Sequence, residues 1–156
     1  MDDAADSAPP PAIRAWMDRL DVEHEYDPET GFIVAREVIG LPDIIASGPA
    51  AADAVDATRN SETIAVIFAT ADRCAPCQQY KKSALNDPEV IELLGRPGFV
   101  TTHVEVDREP ETAERILGSL AIPMTYAFRD GQIVDGLRGQ KSAEELRAWL
   151  RALNQS

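Results

Sequence analysis

Apolar positions along the chain change period several times, and each change marks an element. Ile13, Trp16, Met17 and Leu20 recur at i, i+3, i+4 and i+7, which predicts a short amphipathic helix. Asp27-Pro28-Glu29-Thr30-Gly31 is a run of turn residues. Phe32 to Ile39, rich in β-branched residues, predicts a strand. Gly40, Pro42, Gly48 and Pro49 then punctuate a loop. The alanine-rich stretch Ala50 to Thr58 predicts a helix with Ala51, Ala54, Val55 and Thr58 on its apolar face.

Beyond residue 60 the rhythm is clearer. Ile64 to Ala69 is almost continuously apolar, as expected of a strand buried on both faces. A helix should open at Cys74 and run to about Leu85, with Tyr80, Ala84 and Leu85 facing the core and Lys81 and Lys82 on its solvated face. Asp87-Pro88-Glu89 supplies an N-cap, a proline at the first helical position and an acid in the first turn. That helix carries Val90, Ile91, Leu93 and Leu94 and stops at Gly95. Phe99 to Val106 is a second β-rich run, followed by a helical stripe of Ala113, Ile116, Leu117 and Leu120. Thr125 to Phe128 and Ile133 to Leu137 flank Asp130-Gly131, a hairpin dipeptide. Ser142 and Glu145 form a capping box before Leu146, Trp149, Leu150 and Leu153, which face the core. Residues 61–156 thus read β-α-α-β-α-β-β-α. The long helical connections predict parallel pairing of the first strands, and the hairpin makes the last pair antiparallel.

Composition narrows the function classes. With 156 residues and 44% hydrophobic content, the chain can bury one core. Its net charge is −12, and 13 of its acidic residues against 4 basic ones fall in the first 60 positions. Such acidity repels phosphate backbones, so no nucleic-acid partner is expected. The longest apolar run is far below the roughly 20 residues of a membrane helix, so no membrane span is expected. Residues 1–11, acidic and proline-rich, read as a flexible linker. They also read as the juncture to an upstream signal or anchor, which a longer gene product with an apolar N-terminus would support.

The chain has two cysteines, Cys74 and Cys77, at a strand-to-helix junction. A structural disulfide framework would scatter its cysteines to close long loops. Here the first thiol sits by a helix N-terminus, whose free N–H groups and dipole favour a thiolate. The second lies one turn on, close enough to attack a mixed disulfide formed by the first. Cys74 is thus the candidate nucleophile and Cys77 the resolving thiol. Pro76 falls in the first helical turn, where its missing N–H costs little. Half a zinc site and a pair of inert buried thiols are the competing readings; His24 and His103 do not stand at finger spacing, and no metal is expected. Ile122-Pro123 precedes the hairpin strand, at a strand start where proline is tolerated.

Cys74-Ala-Pro-Cys77, Asp107 at the end of a β-rich strand, Ile122-Pro123, the Phe128-Arg-Asp-Gly131 turn and Gly139 together resemble the thioredoxin superfamily over about residues 50–154. The resemblance implies an α/β thioredoxin fold, a central mixed sheet flanked by helices. To this the chain adds an N-terminal extension, residues 12–49 with a short helix and strand, before a thioredoxin-like domain at 50–156. It further implies that Pro123 is cis and faces the cysteines, that Ile122 offers its backbone to an extended substrate, and that Gly139 keeps the rim open. Ser83 to Val90 looks like the thioredoxin-like C-terminal domain of bacterial transmembrane thiol-disulfide interchange proteins, which favours an extracytoplasmic setting, periplasmic or membrane-tethered, over the cytoplasm.

The departures bear on mechanism. Arg73 replaces the usual tryptophan before the first cysteine; it either favours the Cys74 thiolate or is a solvated surface residue. The strand before the motif lacks the buried acid many thioredoxins carry. His103 and Glu105 are then the candidate proton shuttles for Cys77, against a structural histidine and a solvent-facing glutamate. Met124 replaces the threonine that commonly follows the proline. The expected function is a thiol-disulfide oxidoreductase, a monomer that reduces protein disulfides, needs no cofactor beyond the Cys74–Cys77 couple, and draws electrons from an upstream dithiol. The rivals are a thioredoxin-fold binding or chaperone module and a glutathione-dependent, glutaredoxin-like enzyme. For residues 1–60 the alternatives are a partner-docking arm or a cap packed on the sheet.

Overall fold

The computed structural model describes residues 8–155. The linker assigned to residues 1–11 lies outside them for residues 1–7. Its last residue, Pro11, instead opens helix α1, Pro11–Met17, at a position where the proline N–H has no helical partner to lose. None of α1 is buried and Trp16 is 40% exposed, so the apolar stripe read from its spacing does not enter the core.

Strands β1, His24–Asp27, and β2, Phe32–Ala35, pair antiparallel in a small sheet of their own. Gly31, at φ +76°, closes the turn between them with its N–H on Asp27 O at 2.7 Å. The extension therefore holds a hairpin where one strand was expected, and β2 ends at Ala35 instead of Ile39. Short helices α2, Asp43–Ala46, and α3, Ala51–Asp56, follow.

The main sheet has the order β4-β3-β5-β6. Its central strand β3, Ile64–Thr70, is buried at every position, as its unbroken apolar run requires. It pairs parallel with β4, Phe99–Glu105, and antiparallel with β5, Met124–Arg129. Strand β6, Gln132–Arg138, returns along β5 through Asp130 and Gly131, whose φ angles of +49° and +79° give the left-handed hairpin turn that dipeptide favours.

Helices cover both faces. Helix α4, Ala75–Tyr80, continues as a π-helical segment through Lys81–Leu85; α5 is Pro88–Leu94 and α7 is Ala143–Gln155. These helices share a core with Ile64, Val66 and Phe68. On the other face α3 and α6, Pro110–Thr112 with a π-helical continuation to Leu117, pack on Ala65, Ile67 and Ala69. The predicted caps form. Asp87 accepts from Val90 N at 3.1 Å, and Ser142 and Glu145 exchange reciprocal 3.1 Å bonds. Leu120 is a correction: Gly118, at φ +72°, ends α6 first, and Leu120 is 46% exposed instead of joining the stripe.

Candidate functional site

The chain leaves β3 through Ala71-Asp72-Arg73 and turns into α4 at Cys74. Cys74 is the N-cap of that helix: its Sγ accepts the Cys77 N–H at 3.1 Å, and its carbonyl accepts from Gln78 N at 3.1 Å. Pro76 sits at the second helical position, where no backbone bond is lost. Cys74 and Cys77 are joined as a disulfide. The two sulfurs differ in access. Cys77 is fully buried, whereas Cys74 is 8% exposed and lines a surface pocket of about 290 Å³.

Ile122, which precedes the cis peptide bond to Pro123, lines the same pocket, whereas Pro123 and Gly139 do not. Among the described residues nothing bonds to the Ile122 peptide N–H or C=O. Gly139 N donates to Pro123 O at 2.9 Å and tethers the β6 end to this loop. A side chain at Gly139 would meet open space, so what demands glycine there is φ +80°. Met124 opens β5 opposite Ala69 and packs, with Ile122, on the core that holds both cysteines. The structure thus gathers Arg73, Cys74, Pro76 and Ile122 around one opening.

Arg73 is held by Asp107, with Nε to Oδ2 at 2.8 Å and an η nitrogen to Oδ1 at 3.1 Å, a bidentate pair. Its charge beside Cys74 is fixed in place but partly neutralised. His103 and Glu105 bond elsewhere than to the cysteines. His103 Nε2 lies 2.6 Å from Thr70 Oγ1, and Glu105 accepts from the backbone N–H groups of Asp72 (2.9 Å) and Arg108 (2.8 Å). Glu105 is buried, not solvent-facing, and it clamps the loop that leads into Cys74. Lys81 also departs from the solvated face assigned to it. It lies one turn after Cys77 on the inward side of α4, is 3% exposed, and places Nζ 3.9 Å from Asp72 Oδ1. Burial lowers its pKa, while Asp72 and Glu105 pull it back up.

His103 has a pKa lowered to about 4, first by burial and then by the nearby cations Lys81 and Arg108. The unfolded chain takes up this proton near pH 6.5, the folded chain only near 4. Stability is therefore complete above pH 6.5 and falls as pH drops towards 4, by roughly 1.4 kcal/mol per pH unit at the steepest. Urea unfolding of wild type and His103→Gln at several pH values should show that slope shrinking in the variant. Equal slopes in the two proteins would refute the assignment.

The N-terminal extension packs on the sheet through α2, whose Ile45 is buried with Ile64, Val66 and Phe68, as the cap reading expected, and it also runs along α4. Ala35 N donates to Arg73 O at 2.8 Å, and Val34 bridges Cys74 in antiparallel fashion. Further along, Gln78 Oε1 accepts from Ile39 N at 2.7 Å, Gln79 Oε1 from Asp21 N, Lys82 Nζ reaches Asp21 O at 2.7 Å, and Asn86 Nδ2 reaches Gly40 O at 2.8 Å. Gln78 is fully buried, and its amide nitrogen also serves Asp72 O at 3.1 Å. Sequence reasoning passed over Gln78 and Gln79. Their bonds to the extension are long-range, so nothing in the local pattern marked them. Among the described residues no group of three or more His, Cys, Asp and Glu comes together as a metal site, and no helix is long and apolar enough to cross a membrane.

Comparison with known proteins agrees with this geometry. A thioredoxin from Thermus thermophilus is 25% identical, with a TM-score of 0.55 over 66% of this chain and 82% of that one. Thioredoxins from Fasciola hepatica (22% identical, TM-score 0.50, 65% of this chain and 88% of that one) and Halobacterium salinarum, as a variant (20%, 0.50, 74% and 95%), share the fold. No curated protein matches the chain. A family model described as thioredoxin-like domain matches residues 50–154, so the protein belongs to the thioredoxin-like family, with a Cys-X-X-Cys pair that supports a function of the thiol-disulfide oxidoreductase type.

Proposed function

We propose that this protein reduces protein disulfides by dithiol exchange. The observation that carries the reading is the placement of a Cys74–Cys77 disulfide at the start of α4, with Cys74 lining an open pocket that Ile122, the residue before cis Pro123, also lines. In the dithiol form the Cys74 thiolate attacks one sulfur of a substrate disulfide. That bond breaks, its other sulfur leaves and takes a proton, and a mixed disulfide forms. Cys77, deprotonated, then attacks Cys74 Sγ, and the second substrate thiol departs. The protein ends with the disulfide seen here, and a partner dithiol returns it to the reduced form.

Electrons pass from thiol to disulfide, so the cysteine couple needs no added cofactor. Substrates would be proteins with accessible disulfides, met by a monomer. The resemblance of Ser83 to Val90 to transmembrane interchange proteins supports an extracytoplasmic site of action, periplasmic or membrane-tethered, with the cytoplasm as the alternative. The reducing direction rests on Ala75-Pro76, close to the Gly-Pro of thioredoxin. The second reading, a binding module without turnover, draws on one observation: neither of the two candidate bases, His103 and Glu105, bonds to a cysteine.

Equilibration against graded dithiol/disulfide buffers, with free thiols counted by alkylation and mass, tests the proposal. A reversible two-electron transition between free and bridged Cys74–Cys77 is expected. A potential near roughly −270 mV marks a reductant and one near roughly −120 mV an oxidant. Thiols that stay free, or a bridge that stays closed, across the whole range would end the enzyme reading in favour of the binding module.

A further inference from the structure

Residues of the N-terminal extension supply part of the pocket at the nucleophile. Its lining combines Arg73, Cys74, Pro76 and Ile122 from the thioredoxin-like domain with Ile13 from α1 and Gly31, Phe32 and Ile33 from the β1–β2 hairpin. Phe32 is 61% exposed, an unusual setting for a phenylalanine. The hairpin is fixed there by the Ala35–Arg73 bond and the Val34–Cys74 bridge, and their antiparallel sense carries Ile33 and Phe32 towards Pro76. The buried Gln78 amide anchors the chain beyond β2, so this wall of the pocket is preformed.

We infer that the extension builds a specificity subsite for a large apolar side chain next to the reacting cysteine of the substrate. This deepens the reading of the protein as a disulfide reductase and rests on it. Covalent geometry identifies the occupant. A substrate sulfur bonded to Cys74 Sγ places its own residue at the mouth of the pocket, and the residues adjoining it in an extended segment then meet the opening that Ile122, Phe32 and Ile33 line with Cys74. The lining is apolar except for Arg73, whose guanidinium is already engaged by Asp107. An aliphatic or aromatic neighbour covers Phe32, Ile33 and Ile13 as it docks, whereas a serine or aspartate leaves them wet and loses its own hydration. Phe32 and Ile33 are thus positioned to choose among substrates, a role separate from the exchange chemistry of the cysteines.

Heptapeptides with one cysteine, flanked on both sides by leucine, serine or aspartate and held as mixed disulfides with cysteamine, make the probe. They are offered to prereduced protein in single turnover, with hydroxyethyl disulfide as a substrate that has no side chain to place. The leucine peptide should react about tenfold faster than the serine and aspartate peptides, the discrimination expected of a shallow apolar site. In Phe32→Ser that ratio should fall to about one; Ile33→Ser, a second variant in the same wall, should lower it as well. A wild type without preference, or a preference that survives both substitutions, would overturn the subsite while reduction of hydroxyethyl disulfide continues. Failure to reduce hydroxyethyl disulfide at all would instead remove the reductase reading, and the subsite with it.

Discussion

Replacing Cys74 by serine should reduce disulfide reduction to the uncatalysed background, and replacing Cys77 by serine should convert the protein into a trap. The two outcomes differ because the sulfurs occupy different places. Cys74 lines the pocket and caps α4, so it alone can meet an incoming disulfide, and a serine hydroxyl there is far too weak an acid to act as its thiolate does. Cys77 is fully buried behind it and can only attack what Cys74 already carries. Without Cys77 the first exchange still runs, one substrate thiol leaves, and the mixed disulfide persists. Mass spectrometry of Cys77→Ser after mixing with a disulfide-bonded protein should therefore find one added substrate chain, released by excess dithiol. Turnover that survives in Cys74→Ser would refute the roles assigned here. A Cys74→Ser protein that keeps an undiminished biological function without turnover would favour the binding module.

How much of this was legible in the sequence follows from how local each signal is. Strand β3 announced itself because seven successive buried positions leave a run that needs no partner to be recognised. Asp87, Ser142 with Glu145, and Asp130-Gly131 could be read because caps and tight turns are settled within four residues. The cysteine pair and Ile122-Pro123 were legible as motifs at a characteristic separation. By contrast, β1 is His-Glu-Tyr-Asp, which has no strand periodicity and exists through its pairing with β2. The attachment of the extension to α4 is equally silent. Its bonds join backbone to side chain over separations of 39 residues for Ile39–Gln78 and 58 for Asp21–Gln79, and such bonds impose no pattern on composition. Lys81 misled because lysine is ordinarily solvated; only the fold brings Asp72 and Glu105 near enough to accompany it inside.

Phe68→Ala should cost about 3–5 kcal/mol of folding stability, a fifth or more of the roughly 5–15 kcal/mol a domain usually has. The strand before the motif carries no acid, and Phe68 serves packing there. Phe68 is fully buried at the centre of β3, with Thr125 of β5 and His103 of β4 beside it in register. Its ring meets Tyr80 edge-on, at a centroid distance of 6.2 Å and an interplanar angle of 64°. Tyr80 is in turn fixed by a 2.6 Å bond between its hydroxyl and Thr125 Oγ1. Collapse into the vacated space would need Tyr80 to abandon that bond or α4 to shift against the sheet. The α4 helix is also held from outside by Gln78, so the cavity should stay largely open and its cost should be paid in full. Urea denaturation of the disulfide-bonded form is the measurement, with the midpoint falling and the m-value unchanged. Phe32→Ser provides the contrast, since an exposed side chain should change stability by no more than about 0.5 kcal/mol. A loss below about 1 kcal/mol for Phe68→Ala would mean that this face of the sheet repacks freely, and that the active-site helix is not seated on a rigid core.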